Sequence, residues 1–187
     1  SKVNFKVIND YVKSIREKRF ENYYGGVHPV EGKEPTEHLP LIKFPAPETV
    51  IIPLSQHLGA PANAIVNVGD YVKMGQKIGE ADGFISAPVH SSVSGTVVAI
   101  EERPHANRGM CLSVVIENDF TDEAVEVTRC DDPLNTYDDN TILHMIREAG
   151  LVGMGGAAFP GDVKAMSAMG HIEYLIANAC ECEPLYI

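Results

Sequence analysis

Residues 68–82, VGDYVKMGQKIGEAD, and residues 85–100, ISAPVHSSVSGTVVAI, decide the fold of this chain. In both stretches, short β-branched or aliphatic runs alternate with turn signals that contain glycine, and the alternation extends over residues 50–117. Many short apolar runs separated by turns at regular spacing are typical of a compact all-β module, because each run is long enough for one strand only. The predicted strands are Val50–Ile52, Ala64–Val66, Tyr71–Val72, Lys77–Ile78, Val97–Ile100 and Leu112–Ile116.

The middle of this module predicts an exposed hairpin, since Asp82-Gly83 between Ile78 and Phe84 is a sequence that favours a tight turn. The two quoted stretches resemble the halves of the barrel-sandwich hybrid of biotinyl and lipoyl domains, whose modified members carry an acceptor lysine at the hairpin tip. Residues 79–86 occupy the corresponding place and contain no lysine, and the nearest one, Lys77, precedes them on the strand. Because no amine is present to be acylated, we expect a scaffold or docking surface rather than a swinging-arm carrier.

From residue 141 the pattern changes to helix, with N-cap residues before an apolar stripe that ends at Gly150. A glycine-rich loop at 153–158, a second helix at about 162–169 and a short apolar strand, Glu173–Asn178, follow. This order is typical of an α/β domain, so the fold is predicted to be mixed, α+β, with the β module first. One strand and two helices cannot close a core, and we therefore expect an N-terminal fragment of a longer protein.

Gly153, Gly155 and Gly156 form a candidate anion-binding loop. Glycines let backbone N–H groups approach an oxyanion closely, and the N-terminus of the next helix adds a positive dipole. The loop is not the dinucleotide fingerprint, because a helix precedes it, nor a Walker A loop, because no Gly-Lys-Ser/Thr follows. A tight turn between two helices is the alternative explanation.

Three polar side chains, Asn178, Glu181 and Glu183, come at the end of the predicted strand. Ligands of α/β sheets gather at the carboxyl ends of strands, where an amide and carboxylates can bond to a flavin ring, a ribitol or a nicotinamide ribose. These residues are therefore candidate cofactor-binding groups. No catalytic side chain and no metal ligand is predicted in this sequence.

The loop and the strand end together resemble the flavin- and NADH-binding subunit of respiratory complex I, with its GxxGxGGAGFPxxxK loop and its strand ending in NADEGEP. Residues 150–160 read GLVGMGGAAFP, Lys164 follows at the expected distance, and residues 178–184 read NACECEP. Ala158 stands where that family has glycine.

A narrower resemblance, to the C subunit of the Rnf electron-transport complex, comes from the ECEP sequence, with Cys180 and Cys182 in place of aspartate and glycine. Residues 25–40, GGVHPVEGKEPTEHLP, and residues 84–101, FISAPVHSSVSGTVVAIE, also match this family. Related flavoproteins that reduce cobalamin or quinone-linked partners, and a non-enzymatic module of the lipoyl type, are the alternatives.

The Rnf resemblance implies a peripheral subunit on the cytoplasmic side of a bacterial membrane, with other subunits of the complex and NADH as partners. Hydride would pass from NADH to FMN and electrons then to [4Fe-4S] clusters, whose cysteine motifs are expected further along the chain and are absent from this sequence. The glycine loop would hold the FMN phosphate or ribityl group, and Lys164 would supply positive charge. Asn178, Glu181 and Glu183 would contact flavin or NADH. The fragment alone is expected to be inactive.

Composition and charge agree with a soluble globular protein, since 44% of the 187 residues are hydrophobic and 22% are charged. The net charge is −11, and a negatively charged surface repels the phosphate backbone of nucleic acid, so nucleic acid is not expected as a partner. Four scattered cysteines are expected to be reduced thiols. No apolar stretch is long enough to span a membrane as a helix. The remaining segments are predicted to be an amphipathic helix at 1–24, an extended Pro/Gly-rich segment at 25–49 and an acidic linker with one strand, Ala124–Val127, at 118–140.

Overall fold

A computed structural model describes residues 34–106, 109–127, 129–154 and 156–174, together with Lys13, Gly32 and Ile176. Residues Phe44–Leu175 form one compact unit, and the remaining residues at the two ends form another. Within the described part of that second unit, the backbone N–H of Leu39 donates to the carbonyl oxygen of Thr36 and closes a turn. Apart from Lys13, the helix predicted over residues 1–24 lies outside the described residues.

Seven short strands within the described residues form two antiparallel sheets that make up the β module. One sheet has four strands in the order β1-β7-β6-β3, and the other has three in the order β2-β4-β5. The strands are β1 Thr49–Pro53, β2 Asn63–Ala64, β3 Tyr71–Val72, β4 Lys77–Glu80, β5 Val89–His90, β6 Gly95–His105 and β7 Gly109–Asn118. The longest pairing is the β6–β7 hairpin, whose register shifts between Val97 and Ala99. The prediction of an all-β module at this place is confirmed.

The core of the module consists of aliphatic side chains that point inwards from both sheets. Because successive side chains of a strand face opposite sides, Val114 and Ile116 of β7 point to the same side, and both are fully buried; Val115 between them, on the other side, is also buried. The buried core residues are Ile52, Leu54, Ala62, Val66, Val72, Ile78, Val89, Val93, Val97, Val114 and Ile116. Burying an aliphatic side chain of this size contributes about 1.5–3 kcal/mol. This cluster therefore gives the module its stability.

The tight turn predicted at Asp82-Gly83 is wrong, and the strand β5 was not predicted. β4 pairs with β5, and the connection between them runs over residues 81–88. The hydroxyl of buried Ser86 explains the wider loop, since it accepts a hydrogen bond from the N–H of Asp82 (3.0 Å) and donates one to the carbonyl oxygen of Ala60 (2.8 Å). A buried serine that is satisfied in this way holds residues 82–86 as a loop rather than a two-residue turn.

The start of the acidic segment lies against one end of the module. The Tyr71 hydroxyl donates to Asp119 (2.8 Å) and also lies 3.1 Å from a carboxylate oxygen of Glu123, while Lys73 pairs with Glu123 at 2.6 Å. The strand predicted at Ala124–Val127 is wrong, because only an isolated bridge between Met74 and Ala124 forms. These side-chain contacts and the two backbone hydrogen bonds of Met74, to Glu123 and from Val125, hold this segment in place without a strand ladder.

Asp119 is expected to make the free energy of unfolding of the chain decrease at acidic pH. Hydrogen bonds from the Ser94 hydroxyl and then from the backbone N–H of Thr121 lower the pKa of Asp119 from 3.8 to about 2. The stabilisation is therefore present above pH 3.8 and is lost as the pH falls through about 2. Urea unfolding should show that Asp119→Asn is less stable than the parent chain at pH 7, and that the difference shrinks from pH 4 to pH 2. Glu126→Gln, at an exposed carboxylate of the same segment, is the control. A pH-independent difference would contradict this role.

Three helices of the described part follow the module: α1 Pro133–Thr136, α2 Asp139–Glu148 and α3 Gly161–Ala168. The carboxylate of Asp138 accepts a hydrogen bond from the N–H of Thr141 and so caps α2, as expected for a helix starting here. None of the helices in the described residues has the length and apolar character needed to cross a membrane.

The strand predicted at Glu173–Asn178 is wrong for the residues that the structure describes. Glu173, Tyr174 and Ile176 are not in a strand and are exposed, and the rest of the predicted strand lies outside the described residues. A strand needs a neighbour for its backbone N–H and C=O groups. Among the described residues no strand pairs with these positions.

Candidate functional site

The glycine-rich loop between α2 and α3 is closed at its base and exposed at its tip. A bridge joins Val152 to Pro160, and the N–H of Gly153 donates to the carbonyl oxygen of Phe159 (3.0 Å). The N–H of Gly161 donates to the carbonyl oxygen of Leu151 (2.8 Å) just outside this bridge. These hydrogen bonds fix the two ends of the loop together, and the described residues between them, Gly153, Met154, Gly156 and Ala157, are exposed.

Three of the seven sequence-predicted binding residues belong to this arrangement. Gly153 and Gly156 are exposed in the loop, and Lys164 is exposed one turn into α3. Gly156 has a φ of 66°, a left-handed conformation that glycine adopts without steric cost. The other four predicted residues, Gly155, Asn178, Glu181 and Glu183, lie outside the described residues.

The described donors suit a phosphate or another small anion. An exposed loop with a glycine at positive φ offers backbone N–H groups, and the ammonium group of Lys164 adds a positive charge. A Cβ built on Gly156 would meet no atom within 4 Å, so the space over this part of the loop is open. Backbone N–H groups and an ammonium group are the donors that a phosphate, such as that of FMN, requires.

Ala158 adopts a backbone conformation that favours glycine, with a φ of 48°. This strain costs an L-residue roughly 1–2 kcal/mol, of which the entropy of a glycine in the unfolded chain offsets about 0.4–1 kcal/mol. Ala158→Gly is therefore expected to raise the free energy of unfolding by about 0.5–1 kcal/mol. Urea denaturation measures the change. Ala157→Gly, beside it and without positive φ, should lower the stability; a loss in both variants would contradict the strain at Ala158.

Arg147, at the end of α2, connects the loop to the β module. Its guanidinium donates to the carboxylate of Asp162 in the first turn of α3 (3.0 Å) and to the carbonyl oxygen of Gly83 in the β4–β5 loop (2.7 Å). The Asp162 side chain is only 12% exposed, so its charge needs this partner. One side chain thus joins α2, α3 and the module.

Lys77 makes a second connection between the module and α2. Its ammonium lies 2.7 Å from a carboxylate oxygen of Glu148 and 2.7 Å from one of Glu80. Hydrogen bonds to Glu148 and then to Glu80 raise the pKa of Lys77, while Lys77 lowers the pKa of Glu80. The lysine nearest to the hairpin is therefore charged and held in two ion pairs, which leaves it a poor nucleophile.

A cavity of about 210 Å³ lies where the module meets the beginning of the loop. Burial lowers the pKa of His90, so its ring in this wall is largely uncharged at neutral pH. A Cβ added to Gly150 would lie 2.7 Å from the carbonyl oxygen of Pro88, which shows how closely the two parts pack. The lining residues are Gln56, His57, Pro88, Val89, His90, Gly150 and Val152.

His57 is a buried residue of this region that the sequence reasoning missed. Its Nε2 accepts a hydrogen bond from the N–H of Ala87 (3.2 Å), so the ring hydrogen is on Nδ1, which donates to the carbonyl oxygen of Leu58 (3.2 Å). The N–H of Leu58 in turn donates to the carbonyl oxygen of Ala158 in the glycine loop (3.3 Å). No local motif marks such a histidine, because Ala87, the donor to its Nε2, lies 30 residues further along the sequence.

Comparison with known families finds two matches, one on each side of the acidic segment. Residues 21–121 match the RnfC barrel sandwich hybrid domain, and residues 146–187 match the Nuo51 FMN-binding domain. The second match contains the glycine loop and α3. It supports FMN as a cofactor of this region.

Similar proteins from several bacteria carry related names. The chain is 46% identical over 163 residues to the C subunit of the Na(+)-translocating ferredoxin:NAD(+) oxidoreductase complex of Acetobacterium woodii, and this alignment covers 87% of the chain and 37% of that protein. It is 43% identical over 165 residues to the proton-translocating counterpart of Clostridium ljungdahlii, with 88% and 36% covered. The C subunit of the ion-translocating oxidoreductase complex of Vibrio cholerae is 35% identical over 175 residues, with 92% and 22% covered. The chain thus spans between 22% and 37% of the length of these relatives.

Proposed function

We propose, from the premise that the chain belongs to the RnfC family, that the whole protein is the NADH-oxidising subunit of an Rnf-type ferredoxin:NAD(+) oxidoreductase complex coupled to ion translocation. The observation that carries the proposal is the order of the two matches, a barrel-sandwich module followed by the beginning of an FMN-binding domain. This chain contributes the module and the first loop of the flavin site. Its partners are NADH and the other subunits of the complex, and its place is the cytoplasmic side of the membrane.

FMN, when bound, supplies a centre that accepts a hydride from NADH and releases electrons one at a time. The loop at Gly153, Gly155 and Gly156 binds the phosphate or ribityl oxygens in this proposal, and Lys164 neutralises part of the phosphate charge. The N–H of Gly153 already donates to the carbonyl oxygen of Phe159, so this glycine contributes close approach of the backbone, and the donors are the other N–H groups of the loop. Asn178, Glu181 and Glu183 contact flavin or NADH. [4Fe-4S] clusters, expected in another part of the whole protein, would take up the electrons from the flavin.

The loop can serve an anionic group despite the acidic character of the chain, because the carboxylate at the start of α3 is neutralised. Asp162 lies in the first turn of α3, where a free negative charge would repel a phosphate, and Arg147 pairs with it. The exposed charge of Lys164 is then the dominant one at the start of α3. This local balance supports an anion site within a protein of net charge −11.

The β module serves as a scaffold rather than as a carrier in this proposal. The β4–β5 loop, residues 81–88, contains no lysine, and Lys77 on β4 is held in two ion pairs. A biotinyl or lipoyl ligase therefore has no free amine to modify at this loop. The carbonyl oxygen of Gly83 at its tip is occupied by Arg147 instead.

The test uses the whole protein, purified after reconstitution with FMN. We expect bound flavin in the visible absorption spectrum and NADH oxidation with an artificial electron acceptor. The alternative, a reductase for cobalamin or quinone-linked partners, would also bind flavin. It is distinguished by ferredoxin reduction, which the complex assembled with this subunit would then fail to carry out. A protein without flavin absorbance after reconstitution would be a non-enzymatic module, and the proposal would be wrong.

A further inference from the structure

Arg147 connects the β4–β5 loop, residues 81–88, to the helix that follows the glycine loop. The guanidinium lies between two partners that belong to different parts of the fold: the carbonyl oxygen of Gly83 at 2.7 Å and the carboxylate of Asp162 at 3.0 Å. In biotinyl and lipoyl domains the corresponding loop projects freely and carries the prosthetic group. Here it receives a side chain from α2 instead.

Asp162 transmits this contact to the glycine loop. It follows Gly161 directly, and the Gly161 N–H closes the base of the loop on the carbonyl oxygen of Leu151. Asp162 is largely buried, so its side chain has a defined position only while Arg147 pairs with it. The position of the first turn of α3, and with it one end of the loop, therefore depends on Arg147.

A backbone contact on the other side of the loop makes the same connection. The N–H of Leu58, in the module, donates to the carbonyl oxygen of Ala158 near the end of the loop (3.3 Å). At the beginning of the loop, Gly150 packs against Pro88 and the ring of His90 so closely that a Cβ has no room. The loop is thus held by the module at both its beginning and its end.

We propose that Arg147 is a positioning residue, which fixes the glycine loop for its anionic ligand by tying the start of α3 to the β4–β5 loop of the module. In this role the module acts as a rigid support for the flavin site. The identity of the ligand as FMN rests on the proposed function, whereas the tie itself rests on the contacts of Arg147 alone.

Arg147→Met removes the tie and keeps most of the aliphatic stem, and Glu148→Gln is the matched control. Glu148 is the next residue of the same helix and also joins α2 to the module, through Lys77, and none of its side-chain hydrogen bonds or ion pairs within the described residues reaches α3 or the loop. A merely structural role of α2 predicts similar effects of the two variants. A positioning role predicts that only Arg147→Met changes the loop.

Amide hydrogen exchange of the chain tests the tie without any flavin. Losing a charge-assisted hydrogen bond changes an equilibrium constant about tenfold or more, so the amides of Gly153 and Gly161 should exchange at least about tenfold faster in Arg147→Met. In Glu148→Gln they should change less than about twofold. Equal acceleration in the two variants overturns the inference. If Arg147→Met does not fold, Asp162→Asn decides, because it keeps the shape and weakens the same tie: faster exchange at Gly161 than in Glu148→Gln supports the role, and equal exchange overturns it.

FMN titration of the whole protein tests the consequence for the ligand. We expect the dissociation constant to rise about tenfold in Arg147→Met, to rise less in Arg147→Lys, which keeps the charge but not the two-pronged geometry, and to stay within about twofold in Glu148→Gln. If the parent protein binds no FMN, the proposed function fails and the exchange result still judges the tie. If the parent binds FMN and Arg147→Met binds it equally well, only the positioning role fails.

Discussion

Replacing Gly95 by alanine is expected to destabilise the β module strongly. Gly95 begins β6 with a φ of 154°, and an added Cβ would lie 1.9 Å from the backbone carbonyl oxygen of Glu117 on β7. The backbone conformation costs roughly 1–2 kcal/mol and the displacement of a packed neighbour about 1–3 kcal/mol more. Alanine offsets about 0.4–1 kcal/mol of this through the lower entropy of the unfolded chain, so we expect the free energy of unfolding to fall by about 1.5–4 kcal/mol, measured by urea denaturation.

Gly69→Ala is the control for this experiment, because it introduces the same kind of backbone strain without a steric clash. Gly69 has a φ of 96°, and a Cβ there would meet no atom within 4 Å. Its loss should be about 0.5–1 kcal/mol, the backbone strain less the entropy offset of alanine in the unfolded chain. Equal losses at the two positions would show that the β6–β7 hairpin yields to the added methyl group, and the steric argument for Gly95 would fail.

Gly156→Val is expected to abolish FMN retention by the whole protein while the β module stays folded. A β-branched residue at a φ near 66° is a steric outlier, so the tip of the loop must change its course. Two charge-assisted hydrogen bonds lost to a phosphate cost roughly 3–6 kcal/mol, which weakens FMN binding by two to four decades. Absorbance of bound flavin after gel filtration measures the retention, and far-UV circular dichroism reports the fold.

Gly170→Val separates loss of the site from general backbone strain. Gly170 has a nearly identical φ of 71°, follows α3 and likewise has no atom within 4 Å of an added Cβ. This variant should keep its flavin. If Gly156→Val retains full flavin occupancy, the loop is only a turn between two helices, and the assignment of Gly153, Gly155 and Gly156 to the cofactor is wrong.

Local chemistry made the elements of this chain predictable from its sequence. Asp138 caps α2 where a helix start was expected, and β6 and β7 form around the predicted β-branched runs Val97–Ile100 and Leu112–Ile116. The glycine loop lies between two helices, as its composition and position indicated. Each of these features depends on residues within about one turn or one strand of each other.

Long-range contacts account for most of what the sequence did not reveal. Arg147 reaches Gly83, and Tyr71 reaches Asp119, across dozens of residues, and no local pattern marks either pair. The tight turn expected at Asp82-Gly83 failed for a similar reason, because the hydrogen bond of Ser86 to distant Ala60 sets the shape of that loop. Turn propensity describes isolated segments and yields to tertiary contacts.

The pairing of β1 with β7 governs the order in which the chain acquires its structure during synthesis. Thr49 lies opposite Glu117, so β1 leaves the ribosome well before its partner strand exists. At about 5–20 residues per second, the delay is on the order of 3–14 s. During that interval the apolar side chains of β1, Val50 and Ile52 among them, have no sheet to join. The sandwich can close only after β7 has been translated, which makes nascent chains of intermediate length the form most exposed to chaperones and to misassembly.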